Sequence, residues 1–245
     1  MDDTLWVAMN GAKQALDMQT MYASNLANSK TTGFQADLHQ AQSVGLSGAV
    51  STQVYSVPDA FIPDMTPGNI ITTGKELDVA VDAQGFLTVQ SPDGSEAYTR
   101  SGELQIDANG ILTNAHGYPV LGNGGPIAIP PAAKIEIAKD GTISIRPLGK
   151  GSKAMVTLDR LKLVKPDPQD LMKTTNGLIK TKSGKVAEAD ASISVIPGAL
   201  NSSNVNIVGT MVDMISAARQ FEMQMRIMQE VKSQSESAAR LLQIS

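Results

Sequence analysis

The sequence predicts an α+β fold: N- and C-terminal helices form a coiled-coil-like pair, with a central antiparallel all-β domain and extended linking segments between them. Three observations predict it. Apolar residues recur at three-four spacing at both ends of the chain. All twelve prolines lie between Pro58 and Pro197, so the ends are free of helix breakers and the middle is rich in them. Between Leu77 and Val164, short alternating runs are punctuated by pairs such as Asp93-Gly94, Asn109-Gly110 and Asp140-Gly141, which suit tight hairpins.

The stretch Leu5 to Phe34 opens on the first helix. Leu5, Met9, Ala12, Leu16, Gln19, Ala23 and Leu26 make one narrow apolar stripe, Asp2 or Asp3 caps its start, and Gly11 costs about 1 kcal/mol relative to Ala. The polar run Asn28-Ser29-Lys30-Thr31-Thr32-Gly33 then stops the helix and re-aims the chain. From Thr31 to Gly74 the composition turns to Ser, Thr, Gly, Gln and Pro; extended segments are expected there, with a short strand at Gln53 to Val57. Strands follow at Leu77–Asp82, Phe86–Gln90, Glu96–Arg100, Glu103–Asp107, Ile111–Thr113, Tyr118–Leu121, Ile127–Ile129, Lys134–Ala138, Thr142–Ile145 and Leu158–Val164. Gln84-Gly85 and Ser101-Gly102 are counted among the hairpin turns. After Lys165-Pro166-Asp167-Pro168 the chain is polar again. A long helix then runs from near Asn204 almost to Ser245, capped by Asn204 or a neighbouring Ser, with Met211, Met214, Ala218, Phe221, Met225 and Met228 as its seam. The expected division is a terminal helical domain (1–34 with 200–245), a linking region (35–76 with 166–199) and a β-rich domain (77–165).

Composition removes several functions. Net charge is -4 with no basic block, which excludes a nucleic-acid footprint. Cysteine is absent, so there are no disulfides, thiolate metal sites or Cys nucleophile. No apolar run reaches the roughly 18 to 20 residues needed to span a bilayer, and the start has no basic region of the signal-peptide kind. Charges along the last helix cancel, which argues against a membrane-surface helix.

Catalytic chemistry finds no home. His39 and His116 lack partners at ligand spacing, and His116 sits in a turn-like Asn114-Ala115-His116-Gly117. Asp78 and Asp82 could pair as carboxylates, but the alternation places them on a solvated strand face. Gly122-Asn123-Gly124-Gly125-Pro126 lacks the Lys-Ser/Thr of a phosphate loop. No cofactor and no metal are expected.

Nine of the twelve methionines fall in the two helical ends. Such adaptable side chains suit either an ordinary core or an interface repeated at slightly different geometries by many copies of one chain. Two isolated helices bury little apolar surface against the cost of ordering their backbone, so the ends are expected to order fully only on polymerisation.

Taken together, Ala23-Ser24-Asn25-Leu26-Ala27-Asn28 through Gly33-Phe34, Tyr98-Thr99-Arg100, Val120-Leu121-Gly122, Gly125-Pro126-Ile127, Ser203-Asn204-Val205 and Arg219-Gln220-Phe221-Glu222-Met223 resemble the flagellar basal-body rod and hook family over nearly the whole chain. Thr32 stands where that family often has Pro. Within it, the Arg219–Met225 run is most similar to the proximal rod branch; distal rod and hook branches share the framework. The resemblance implies a structural, non-enzymatic subunit that polymerises helically, with terminal helices lining the wall of the drive shaft and export channel and the β domain outside. It implies copies of itself and neighbouring rod proteins as partners. It also implies passage through the flagellar type III export apparatus without a cleaved signal, and residence in the periplasmic rod. The subunit interface is then expected at Leu5, Met9, Leu16, Asn25, Leu26, Asn28, Phe34, Val205, Met211, Met214, Phe221, Met225 and Met228. Two other classes compete: a secreted carbohydrate-active enzyme, which needs facing acidic residues in a cleft, and a monomeric binding module, which needs ends that are ordered without partners.

Overall fold

The computed structural model describes residues 2–39, 41–45, 54–58, 62–82, 85–148 and 154–243. The chain is α+β and divides into two compact units. One holds residues 1–27, 37–60 and 205–245; the other holds 28–36 and 61–204.

The first unit is built on two helices, α1 (Asp2–Ala27) and α2 (Ile207–Gln243). They run antiparallel: Gly11 near the start of α1 lies against Gln224 far along α2, while Tyr22 near the end of α1 feels the charge of Asp213 near the start of α2. The expected cap on α2 shifts by two residues. Asn206, not Asn204, accepts the Gly209 N–H with its side-chain oxygen at 3.2 Å. A hairpin of Ala41–Gly45 and Val54–Pro58 belongs to the same unit, with Gly45 opposite Val54; this is where the sequence places a strand, though Gln53 itself lies outside the described residues.

The second unit is the expected antiparallel β module. Its five-stranded sheet has the order Leu163–Val164, Phe86–Gln90, Glu96–Thr99, Ile179–Thr181, Leu171–Lys173. A three-stranded sheet of Ala132–Ile137, Thr142–Pro147 and Val156–Arg160 packs beside it, and short pairs such as Leu104–Ile106 with Leu112–Asn114 complete the layer. The core lies where their inward residues meet: Val79, Val81, Leu87, Val89, Leu112, Val120, Ile127, Ile143, Ile145, Leu161, Leu163 and Val195 are all buried. A smaller cluster joins Phe86, Tyr98, Val164, Leu171 and Ile179 on the other face of the five-stranded sheet.

Four expectations need correction here. The stretch 166–199 is more than a linker: it supplies two strands of the five-stranded sheet, and its Val195–Pro197 pairs with Val79–Val81. Short polar strands escape pattern reading because only one or two of their residues are buried. Ile127–Ile129 is not a strand but a bridge, Ala128 opposite Ile111. Gly85 and Gly102 are not positive-φ turn residues. Each is a place of close approach: a β-carbon on Gly102 would overlap the Val79 carbonyl, and one on Gly85 would meet the Ile193 and Val81 side chains. Asp78, expected on a solvated face, is buried and accepts a 2.5 Å hydrogen bond from the Thr73 hydroxyl, while Asp82 is exposed and meets Ser194. The two carboxylates therefore serve different turns. His116 keeps its turn role, its backbone N–H donating to Asn114 Oδ1 at 3.0 Å.

Candidate functional site

The pairing surface of α1 is the small-residue side of the helix. Ala8, Ala12 and Ala15 are buried and fall four and three apart, and the row continues through half-buried Gln19, Tyr22 and Leu26. On α2 the matching row is Met214, Ala217, Phe221, Gln224, Met228 and Val231, with Ala217 fully enclosed. Small side chains let two helices approach closely. Gly11 takes part: a β-carbon there would sit 2.9 Å from the Gln224 amide group, so the near neighbour is a flexible side chain and not another backbone. Burial, and then the negative charge of Asp213, push the Tyr22 phenol pKa upward.

This row is not the stripe expected from the sequence. The two share Ala12, Gln19 and Leu26, but Leu5, Met9 and Leu16 point outward, at 42%, 50% and 49% exposure, and Ala23 is exposed too. The physical reason is that a heptad filled with Ala packs against a partner more closely than one filled with Leu and Met, so the larger residues are left on the outer side. On α2, Met214, Phe221 and Met228 are half-buried as a seam requires, whereas Met211 and Met225 are exposed.

What remains outward is an unusually apolar surface for the ends of a polypeptide. Trp6 and Val7 flank the Leu5-Met9-Leu16 row on α1. Val208, Val212 and Ile215 form a second heptad row at the start of α2, and Met223 and Ile227 extend the exposed apolar surface further along that helix. Sequence reasoning missed these. The signal was present, because α2 carries two overlapping heptad frames and only one of them can face α1.

Asn25, Asn28 and Phe34, also expected at the interface, have partners in their own unit. Asn25 is buried and clamps the backbone of Asp37 from both sides: its Nδ2 donates to the Asp37 carbonyl and its Oδ1 accepts the Asp37 N–H, each at 2.9 Å. It does not face outward. Asn28 is half-buried, and its Oδ1 accepts from the Thr31 hydroxyl at 3.2 Å. Phe34 is half-buried with the Lys173 ammonium 3.8 Å from its ring centre, and Val205 is half-buried just ahead of α2.

A second polar clamp stands within the β unit. Asn204 accepts the Ala36 N–H at 2.7 Å and donates to the Asp64 and Thr66 carbonyls at 3.0 Å, tying three backbone segments together. Gly33, at φ 70°, donates to the Asn201 carbonyl at 2.8 Å, and its α-carbon lies so close to the Arg100–Ser101 backbone that no side chain fits. The buried Arg100 guanidinium lies 4.8 Å from the Phe86 ring centre. Burial draws its pKa down, opposed by the Asp64 charge.

Among the described residues no cluster of three or more His, Asp or Glu could hold a metal ion, and no helix is long and apolar enough to cross a membrane.

Comparison with known proteins agrees with the motifs. Family descriptions match in three places: Flagella basal body rod protein at residues 5–35, Flagellar hook protein FlgE/F/G D1 domain at 80–145, and Flagellar basal body rod FlgEFG protein C-terminal at 196–241. The chain is 42% identical to flagellar basal-body rod protein FlgF of Escherichia coli K12 and 42% identical to that of Salmonella typhimurium LT2, in both cases over the whole of each chain. It is 30% identical to the rod protein FlgG of Buchnera aphidicola subsp. Acyrthosiphon pisum, over 89% of this chain and 92% of the relative. With paired terminal helices, a Gly-pinned turn after the first of them and the β module all in the matched positions, the chain belongs to the flagellar basal-body rod protein family.

Proposed function

We propose that the chain is a structural subunit of the bacterial flagellar rod, on its proximal segment, and that it polymerises helically with copies of itself and with neighbouring rod proteins. The observation that carries this reading is the outward apolar surface of the paired helices. Leu5, Trp6, Met9 and Leu16 on α1, with Val208, Val212 and Ile215 on α2, are left in water by the helix pair itself. Exposed apolar rows of this extent mark interaction sites. A helical polymer covers them by giving each helix neighbours on more than one side, as in any wall built from bundled helices.

In this reading the helical unit forms the wall around the export channel and the β unit forms the outer layer. The chain reaches its periplasmic position through the flagellar export apparatus without a cleaved signal, and it has no enzymatic role. The fully buried members of the pairing rows are the alanines Ala8, Ala12, Ala15 and Ala217, each contributing about 0.8 kcal/mol for its methyl, while the larger members are only half-buried. The helical ends are therefore only weakly held in the free chain and gain most of their burial on assembly. The 42% identity to the FlgF proteins of Escherichia coli K12 and Salmonella typhimurium LT2, above the 30% to a Buchnera FlgG, supports the proximal position.

The test is purified protein examined at low and high concentration by circular dichroism and negative-stain microscopy. Filaments or rings, with helicity rising as they form, are expected. A chain that stays monomeric at high concentration, alone and with other rod subunits, and is fully helical throughout would refute the proposal.

A further inference from the structure

We infer that Asn123 is a site of spontaneous deamidation, and that it is the Asn-Gly pair of this chain that the fold leaves open to that reaction. The chain has four such pairs: Asn10-Gly11, Asn109-Gly110, Asn123-Gly124 and Asn176-Gly177. The reaction requires the backbone nitrogen after the asparagine to reach the side-chain carbonyl carbon, so both the freedom of that nitrogen and the backbone angle decide the rate.

Three of the four are restrained. Asn10 and Gly11 lie inside α1, where helical geometry holds the nitrogen away from the side chain and within the hydrogen-bond ladder. In the Asn109 turn the Gly110 N–H donates to the Asp107 carbonyl at 3.1 Å, and the Asn109 amide donates to Asp107 Oδ2 at 3.2 Å, so attacking and attacked groups are both tied. In the Asn176 turn the Gly177 N–H donates to the Thr174 carbonyl at 3.0 Å.

Asn123 differs. It and Gly124 are the two exposed residues linking Leu121–Gly122 to Gly125–Pro126, whose register sets Gly122 opposite Gly125. Among the described residues neither the Asn123 side chain nor the Gly124 N–H has a hydrogen-bond partner, and a β-carbon on Gly124 would meet nothing within 4 Å beyond its chain neighbours.

In the reaction the Gly124 nitrogen, losing its proton, bonds to Cγ of Asn123. The Cγ–Nδ2 bond breaks and ammonia leaves with the proton. Water then opens the cyclic imide at either carbonyl, giving aspartate or isoaspartate. The product places a new carboxylate next to Gly122, where even a β-carbon would run into the Asp159 carboxylate, and the isoaspartyl form lengthens the backbone of a two-residue turn. Both changes disfavour the native hairpin, so the β unit ages first at this edge.

The test is incubation of the full-length protein in mildly alkaline buffer, with deamidation and isoaspartate localised by peptide fragmentation over time. Asn123 is expected to convert about tenfold faster than Asn10, Asn109 and Asn176, because only there is the attacking nitrogen free. In denaturant the four rates should converge. Gly124→Ala, which the open space accommodates, should slow conversion without changing the melt. Equal rates in the folded protein, the same ranking in denaturant, or an unaffected Gly124→Ala variant would each overturn the inference.

Discussion

Replacing Leu16 with aspartate separates assembly from folding. Leu16 sits on the outward row of α1 at 49% exposure, so about half of its side chain is still in water in the single chain. Covering that half in an assembled wall is worth about 1 kcal/mol. Leaving an unpaired carboxylate in the covered interface costs roughly a further 3–5 kcal/mol. Association should therefore weaken by about 4–6 kcal/mol per contact, or roughly three to four orders of magnitude in the association constant. In the free chain the same change costs a few tenths of a kcal/mol of helix propensity and about 1 kcal/mol for the half of the side chain that is already covered, well below the effect on association. Sedimentation velocity with and without the substitution reads the first effect, and far-ultraviolet circular dichroism of the dilute chain reads the second. Ala15→Asp is the contrast: that residue is fully buried, so the helix pair itself should come apart. Leu16→Asp protein that assembles as the unmodified chain does would refute the assignment of this face.

Three other outcomes follow from the same geometry. Gly33→Ala should destabilise the β unit by about 3 kcal/mol or more, read by denaturant unfolding. It adds a side chain at positive φ and drives it into the Arg100–Ser101 backbone, which cannot rotate away. Asn25→Ala removes both hydrogen bonds to the half-buried Asp37 backbone, for about 1–3 kcal/mol. Asn25→Asp should recover part of this at most, since a carboxylate accepts the Asp37 N–H but cannot donate to the carbonyl; hydrogen exchange at Asp37 checks it. Acid should loosen the β unit through its turns. Asp93 is held below the ordinary aspartate range chiefly by the Lys180 ammonium at 2.5 Å, Asp107 by the Ile111 N–H, Asp140 by the Thr142 hydroxyl and Asp190 by the Ser192 hydroxyl. Depressed folded-state values mean that the stabilisation is complete above the unfolded-state pKa of about 3.9 and is lost as pH falls through the folded-state values. Carboxyl NMR titration should find these four below their unfolded values, and ordinary values would contradict the turn geometry.

The two families of structure were unequally legible in the sequence. Phe86–Gln90 is observed with the boundaries read from its alternation, because both of its faces are buried and its flanks are turns. The helices were legible from their three-four repeat and freedom from proline. The Asp93-Gly94, Asn109-Gly110 and Asp140-Gly141 turns were legible because their glycines adopt positive φ, a local property. The strands Leu171–Lys173 and Ile179–Thr181 were not, since what makes them strands is a neighbour far away in the chain: Ile179 pairs with Tyr98.

The sequence by itself therefore determined where the helices, turns and principal strands lie, because periodicity and glycine conformation act over a few residues. It also determined the family, through motifs distributed along the whole chain. Only the tertiary structure decided which side of α1 meets α2. An apolar period marks a helix as amphipathic but does not say whether its alanines or its leucines are enclosed; that depends on how closely the second backbone approaches. The same holds for Asn25 and Asn204. Their side chains are spent on Asp37 and on the Ala36, Asp64 and Thr66 backbone, partners that no local pattern announces.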